Sequence, residues 1–348
     1  MQSTIIRKAA ATLFRPSALL LAASLAVSAA AHAGSLNIDT ATIADLQAAY
    51  KTGKLSSEQV TQAYLDRIAA YDKQGPAINA VITLNPNALA EAKELDAERK
   101  AGKIRGPLHG VPLAIKDNID TAGVRTTAAS PMFKDRVPDE DADVVRRLKA
   151  AGAVIIGKLN LHEFALGCTG DISYFGPTRN PWDLAHVTGG SSAGSGAAAA
   201  ADLAFGALGT DTGGSVRMPA SYCGIVGLKP TYGLVPIRGI MPLTLSLDHC
   251  GPMTRTVEDN ALMLGVMAGY DNLDITSVEH AREDYLAQMG QPVKGLRLGM
   301  PAGYFDDLHP EVAKTTGEAI AKAFDELRGL DAAAIRQQRR QKFLDIGR

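Results

Sequence analysis

Lys116 closes the apolar run Val111-Pro112-Leu113-Ala114-Ile115, and two glycine-led serine turns follow it, Gly189-Gly190-Ser191-Ser192 and Thr212-Gly213-Gly214-Ser215. Hydrolysis of an acyl bond needs an activated nucleophile, a group that shuttles its proton, and donors for the oxyanion that develops. A lysine in apolar surroundings loses hydration of its ammonium form. Its pKa falls, and the neutral amine then serves as a general base near neutral pH. Ser215 follows two glycines, and glycine adopts backbone conformations that other residues resist. Such a turn can aim successive N–H groups at one point, here those of Thr212, Gly213, Gly214 and Ser215. These are the parts of a hydrolytic site that needs no histidine. Each part alone has a plainer reading: an exposed lysine, a glycine turn before a structural serine, a helix N-terminus with a serine cap. Glycine-rich turns into helices also cradle phosphates, but Gly189–Gly196 lacks the G-x-x-x-x-G-K-[ST] arrangement of a nucleotide loop.

The surrounding pattern describes the framework. Apolar spacing predicts helices over Thr40–Tyr50, Ser56–Tyr71 and Asn87–Ala101, the second opening with Ser56 and Gln59 at capping-box spacing and the third ended by Gly102. These form a helical layer without visible chemistry. Beyond it short apolar strands alternate with helices. Strands are expected at Val111–Ile115, Val154–Gly157, Leu203–Gly209 and Leu296–Met300. Helices are expected at Asp141–Ala150, from near Ser191 to Ala201, at Glu258–Ala268 and at Glu311–Leu327. The alternation predicts an α/β fold, a mixed sheet core covered by helices on both faces. The expected divisions are 1–33, 34–104 for the helical layer, 105–328 for the catalytic core and 329–348 for an atypical polar tail.

From about Gly106 to about Gly269 the chain resembles the amidase signature family. Besides the lysine and serine motifs, the resemblance is carried by Gly157-Lys158-Leu159-Asn160, Phe175-Gly176-Pro177-Thr178-Arg179-Asn180-Pro181-Trp182-Asp183, Gly224-Ile225-Val226-Gly227-Leu228-Lys229-Pro230-Thr231 and Gly251-Pro252-Met253-Thr254-Arg255-Thr256-Val257-Glu258-Asp259. The resemblance implies that Ser215 is the acylated nucleophile, that Ser191 relays its proton across a residue whose preceding peptide bond is cis, and that Lys116 is the general base. It implies an oxyanion hole from the N–H groups of Thr212, Gly213, Gly214 and Ser215. It also implies supporting roles for Ser192, through hydrogen bonding, and for Asp211 and Arg217 as buried scaffold. Ala193 stands where the family more often has glycine. Substrate specificity is expected near Phe133, Gly167–Tyr174 and Ile237–Leu247. The family pattern continues beyond the end of this chain, so the resemblance implies a catalytic region lacking its C-terminal part.

Bulk properties narrow the partners. The chain has 348 residues, 36 basic and 37 acidic, without the basic excess that nucleic-acid affinity requires. The expected partner is a small-molecule or peptide amide, with no nucleic acid, and the oligomeric state stays open. No zinc-ligand cluster is visible, and no metal or cofactor is expected. The three cysteines, Cys168, Cys223 and Cys250, leave at least one unpaired. Arg7, Lys8 and Arg15, the apolar run Ala18–Ala31 and the Ala31-His32-Ala33 motif have the layout of a secretory signal peptide. Cleavage after Ala33 and a periplasmic or secreted location without a stable membrane anchor are therefore expected. Two activities fit the resemblance: a secreted amidase, and the glutamine-hydrolysing A-subunit of a tRNA-dependent amidotransferase. A non-catalytic remnant is a third reading.

Overall fold

The structure, a computed structural model, describes residues 37–289 apart from 38, 282 and 288. The signal-peptide, Leu296–Met300, Glu311–Leu327 and tail expectations lie outside the described residues.

Three helices come first, α1 (Ile43–Lys51), α2 (Ser57–Tyr71) and α3 (Ala88–Lys100). The Ser56 capping box is formed: the Gln59 N–H donates to Ser56 Oγ (3.1 Å) and the Ser56 N–H to Gln59 Oε1 (3.0 Å). Asp96 of α3 accepts the Ser57 and Glu58 N–H groups (2.7 and 3.0 Å), placing a carboxylate at the electropositive start of α2. This layer is fastened to the rest: Tyr50 donates to the Gly110 carbonyl (2.8 Å) and the Ile43 N–H to Asp259 Oδ1 (2.8 Å). One segment inside it departs from the sequence expectation. Val81–Leu84 is a strand, β1, too short to show a period between two helical runs.

The main sheet adds β2 (Pro112–Lys116), β3 (Val154–Leu159), β6 (Gly206–Asp211), β7 (Val226–Gly227) and β8 (His249–Thr254), in the order β1-β3-β2-β6-β8-β7. The central strands β3, β2 and β6 are parallel, and β1, β8 and β7 join antiparallel. A small hairpin, β4 (Arg179–Asn180) and β5 (Asp183–Val187), stands apart from it. The helices are α4 (Asp143–Ala150), α5 (Ala193–Ala200), α6 (Arg217–Tyr222) and α7 (Val257–Met267).

Both faces of the sheet are covered. A Cβ at Gly206 would meet Met263 of α7 at 2.9 Å. One at Gly209, three residues on and so on the other face, would meet Ser192 Oγ, at the head of α5, at 2.8 Å. Helix α5 is wholly buried and built of Ala, Gly and Ser. Its small side chains let the backbone approach the sheet, and a Cβ at Gly194 would sit 2.4 Å from the Ala80 carbonyl oxygen. Among the described residues no helix is long and apolar enough to cross a membrane.

Candidate active site

Three chain reversals bring the sequence-predicted residues together at one end of β2 and β6. Lys116 is the last residue of β2 and is fully buried. Ser191 and Ser192 precede α5, and the Gly190–Ser191 peptide bond is cis. Ser215 follows the turn that leaves β6 at Asp211. The Ser192 N–H donates to the Ser215 carbonyl (3.2 Å), which joins the two serine turns. The His162 N–H holds the Ser191 carbonyl (3.0 Å), and the Gly190 N–H donates to the Cys168 carbonyl (2.7 Å).

Lys116 Nζ lies 2.7 Å from Ser191 Oγ and 2.7 Å from Thr210 Oγ1. Burial pushes its pKa down to about 7, against weaker opposing influences from Asp211, Cys250 and Asp248. The apolar run thus encloses a lysine whose ammonium form burial disfavours. Ser215 is buried, and its Oγ makes no hydrogen bond among the described residues. The Lys116–Ser191 link is thus formed, whereas no hydrogen bond closes the step to Ser215. Catalytic hydrogen bonds are commonly long before substrate arrives.

The Asp211–Ser215 turn refines two expectations. Asp211 is fully buried and accepts the Gly214 N–H (2.8 Å) at Oδ1 and the Val216 N–H (3.1 Å) at Oδ2. Gly214 is therefore not a free oxyanion donor, because its N–H fixes the turn. The N–H groups of Thr212, Gly213 and Ser215 are left for that role. Arg217 grips both Asp211 oxygens (3.0 Å each), yet its side chain is 46% exposed rather than buried. An arginine can keep its charged fork wet while reaching back to a buried carboxylate. Burial works against the Asp211 charge, but Arg217 and the backbone donors prevail and its pKa is lowered. Gly214 has φ +132°, in the region that favours glycine.

Ser192 is hydrogen-bonded to the backbone of β6. Its Oγ donates to the Thr210 carbonyl (3.1 Å) and accepts the Thr210 N–H (3.2 Å). Sequence reasoning missed Thr210, Asn118 and Asp248. Asn118 Nδ2 donates to Thr210 Oγ1 and to the Met241 carbonyl (3.3 Å each). Thr212 Oγ1 donates to Asp248 Oδ1 (2.5 Å), and Asp248 Oδ2 accepts the Leu243 and Thr244 N–H groups (2.9 and 3.0 Å). Thr210 adjoins Asp211, and Asn118 ends the stretch Gly110–Asn118 that carries Lys116, which was the only signal in the sequence for them. Two of the segments expected to set specificity touch site residues: Met241 bonds Asn118, and the Cys168 carbonyl accepts the Gly190 N–H. All three cysteines are free; Cys223 and Cys250 are buried and Cys168 is exposed.

Known proteins are similar to this chain in sequence and fold. The amidase family model matches residues 59–334. The A-subunit of glutamyl-tRNA(Gln) amidotransferase from Geobacter sp. (strain M21) is 51% identical over 282 residues, covering 80% of this chain and 57% of that protein. The native peptide amidase of Stenotrophomonas maltophilia is similar in structure with a TM-score of 0.69 and 50% identity, over 71% of this chain and 52% of that one. The A-subunit of the Thermotoga maritima glutamyl-tRNA(Gln) amidotransferase gives a TM-score of 0.59 and 41% identity, over 71% and 50%. The chain spans little more than half the length of the curated relatives it matches. With the family model matching most of its length and a buried lysine hydrogen-bonded to the first of its paired serines, the chain belongs to the amidase signature family.

Proposed function

We propose that this chain carries the catalytic core of a serine-dependent amidase that hydrolyses a carboxamide to a carboxylate and ammonia. The observation that supports this most is the fully buried Lys116 amine, 2.7 Å from Ser191 Oγ, with its pKa lowered to about 7 by burial. In the proposed reaction Ser215 Oγ attacks the amide carbon and passes its proton to Ser191 Oγ, whose own proton moves to Lys116 Nζ. The oxyanion takes hydrogen bonds from the Thr212, Gly213 and Ser215 N–H groups. The C–N bond then breaks as the proton returns from Lys116 through Ser191 to the nitrogen, and ammonia leaves. Water attacks the Ser215 ester, the relay takes its proton and returns it to Ser215 Oγ, and the carboxylate is released.

Likeness to a peptide amidase favours small carboxamides or C-terminal peptide amides as substrates. The amidotransferase relatives favour a second reading, glutamine hydrolysis within a larger complex. The basic, apolar and Ala-His-Ala segments at the start of the sequence support export, and so the first reading. A third reading is a non-catalytic remnant; the match spans 57% of the first amidotransferase relative. A serine-directed phosphonate separates these cases. Labelling is expected on Ser215 and lost in Ser215→Ala, and a panel of simple amides should show ammonia release without a partner. Glutamine turnover only with added partner proteins selects the second reading, and no labelling at all selects the remnant.

A further inference from the structure

We propose that Thr210 is the positioning residue that holds the Lys116 amine against Ser191, with Ser192 and Asn118 fixing Thr210 in turn. This rests on the serine–lysine reading above and assigns the part that aims its base.

A long, flexible lysine side chain ends in a group that rotates freely. For a proton to arrive from Ser191, the Nζ lone pair must face Ser191 Oγ while the N–H bonds face elsewhere. Among the described residues Nζ has two close partners, Ser191 Oγ and Thr210 Oγ1, both at 2.7 Å, with the Thr210 carbonyl further off at 3.5 Å. Thr210 therefore supplies the only acceptors for Nζ other than the relay serine itself among those residues. The charged and titratable groups near Lys116 are otherwise engaged or neutral. Asp211 is bound to Arg217 and its own turn, and Asp248 to Thr212, Leu243 and Thr244. Burial pushes the Cys250 thiol up to about 12, and burial lowers the pKa of His162.

Thr210 is itself held at three points. Ser192 Oγ accepts its backbone N–H and donates to its carbonyl, and Asn118 Nδ2 donates to its hydroxyl. Ser192 is the chain neighbour of Ser191, so the clamp that places Thr210 also places the relay serine. Thr210 thereby sets the distance between base and relay.

The test follows the titration of the Lys116 ε-carbon by NMR in protein carrying [13C]lysine, with the signal identified by its absence in Lys116→Met. Thr210→Val keeps the shape and removes the acceptor, which disfavours the ammonium. The Lys116 midpoint should fall by about one pH unit, and phosphonate labelling of Ser215 should slow at least about tenfold. Thr210→Ser should restore both. Should Thr210→Val fail to fold, Asn118→Ala takes its place and should shift the midpoint in the same direction by a smaller amount. A midpoint unchanged in folded Thr210→Val or Asn118→Ala, or a Thr210→Ser variant that behaves like valine, overturns the proposal. If Lys116 responds as expected while wild-type Ser215 is never labelled, the hold of Thr210 on Lys116 stands and the hydrolytic reading falls.

Discussion

Lys116 and Lys158 stand on neighbouring parallel strands, and both are fully buried. Ile115 pairs with Lys158 and Lys116 with Leu159, so alternation sends the two lysines to opposite faces of the sheet. Burial lowers the pKa of both. Each reaches one threonine hydroxyl, Thr210 Oγ1 for Lys116 (2.7 Å) and Thr126 Oγ1 for Lys158 (2.8 Å). They differ in the remaining partner. Lys158 donates to the Ile119 carbonyl and lies 3.9 Å from the buried Asp117 carboxylate. Lys116 meets a serine hydroxyl that can give up a proton. Burial alone therefore does not mark a base. A buried lysine beside a carboxylate and carbonyl is tied into the structure, whereas one beside a serine hydroxyl has a proton within its reach.

The largest effect is expected at Lys116. Lys116→Met should lower Ser215 acylation by on the order of 10⁴-fold or more while the fold is kept, since no carboxylate within hydrogen-bond reach of Nζ loses its partner. Rates of phosphonate labelling and a thermal melt check both halves. Stability should also change with pH in a defined sense. Lys116 titrates near 7 when folded against an ordinary lysine value of 10.5, so between those values the unfolded chain binds more protons and stability rises with pH. Lys116→Met should flatten its share of that slope, read from urea unfolding at pH 7 and pH 10.

Lys158→Met should do the reverse. It leaves Asp117 buried without its cation, and Asp117 Oδ1 already lacks a hydrogen bond. The expected loss is about 3–5 kcal/mol of stability, measured by urea unfolding. Adding Asp117→Asn should recover part of it. A Lys158→Met protein as stable as wild type would erase the distinction between the two lysines.

Sequence alone distinguishes these residues only partly. Lys116 is legible because it ends an apolar run and the glycine-serine turns give it a partner. Lys158 stands out only as part of a family motif, since its partners Asp117, Ile119 and Thr126 all come from the segment that follows the neighbouring strand. The Ser56 capping box and the small-residue helix α5 are legible from local spacing. Strand β8 is not: Gly251 and Pro252 argue against a strand, yet it lies between β6 and β7. Thr210 is hidden for a similar reason, because its role depends on a lysine 94 residues away in sequence.

The smallest effect expected is at Thr126. Thr126→Val removes one acceptor from Lys158 and should cost about 1–2 kcal/mol in urea unfolding. The pH dependence of acylation should not move, in contrast to Thr210→Val on the other face.

If Lys116 is the base for Ser215, the pH dependence of phosphonate labelling at Ser215 reports its ionisation. The rate should rise with pH through a single ionisation near 7 and level above it, because the amine must be neutral to accept the proton. Lys158→Met should leave that midpoint in place. A labelling rate flat across pH 5 to 9, or a midpoint near 7 that persists in Lys116→Met, would contradict that role for Lys116.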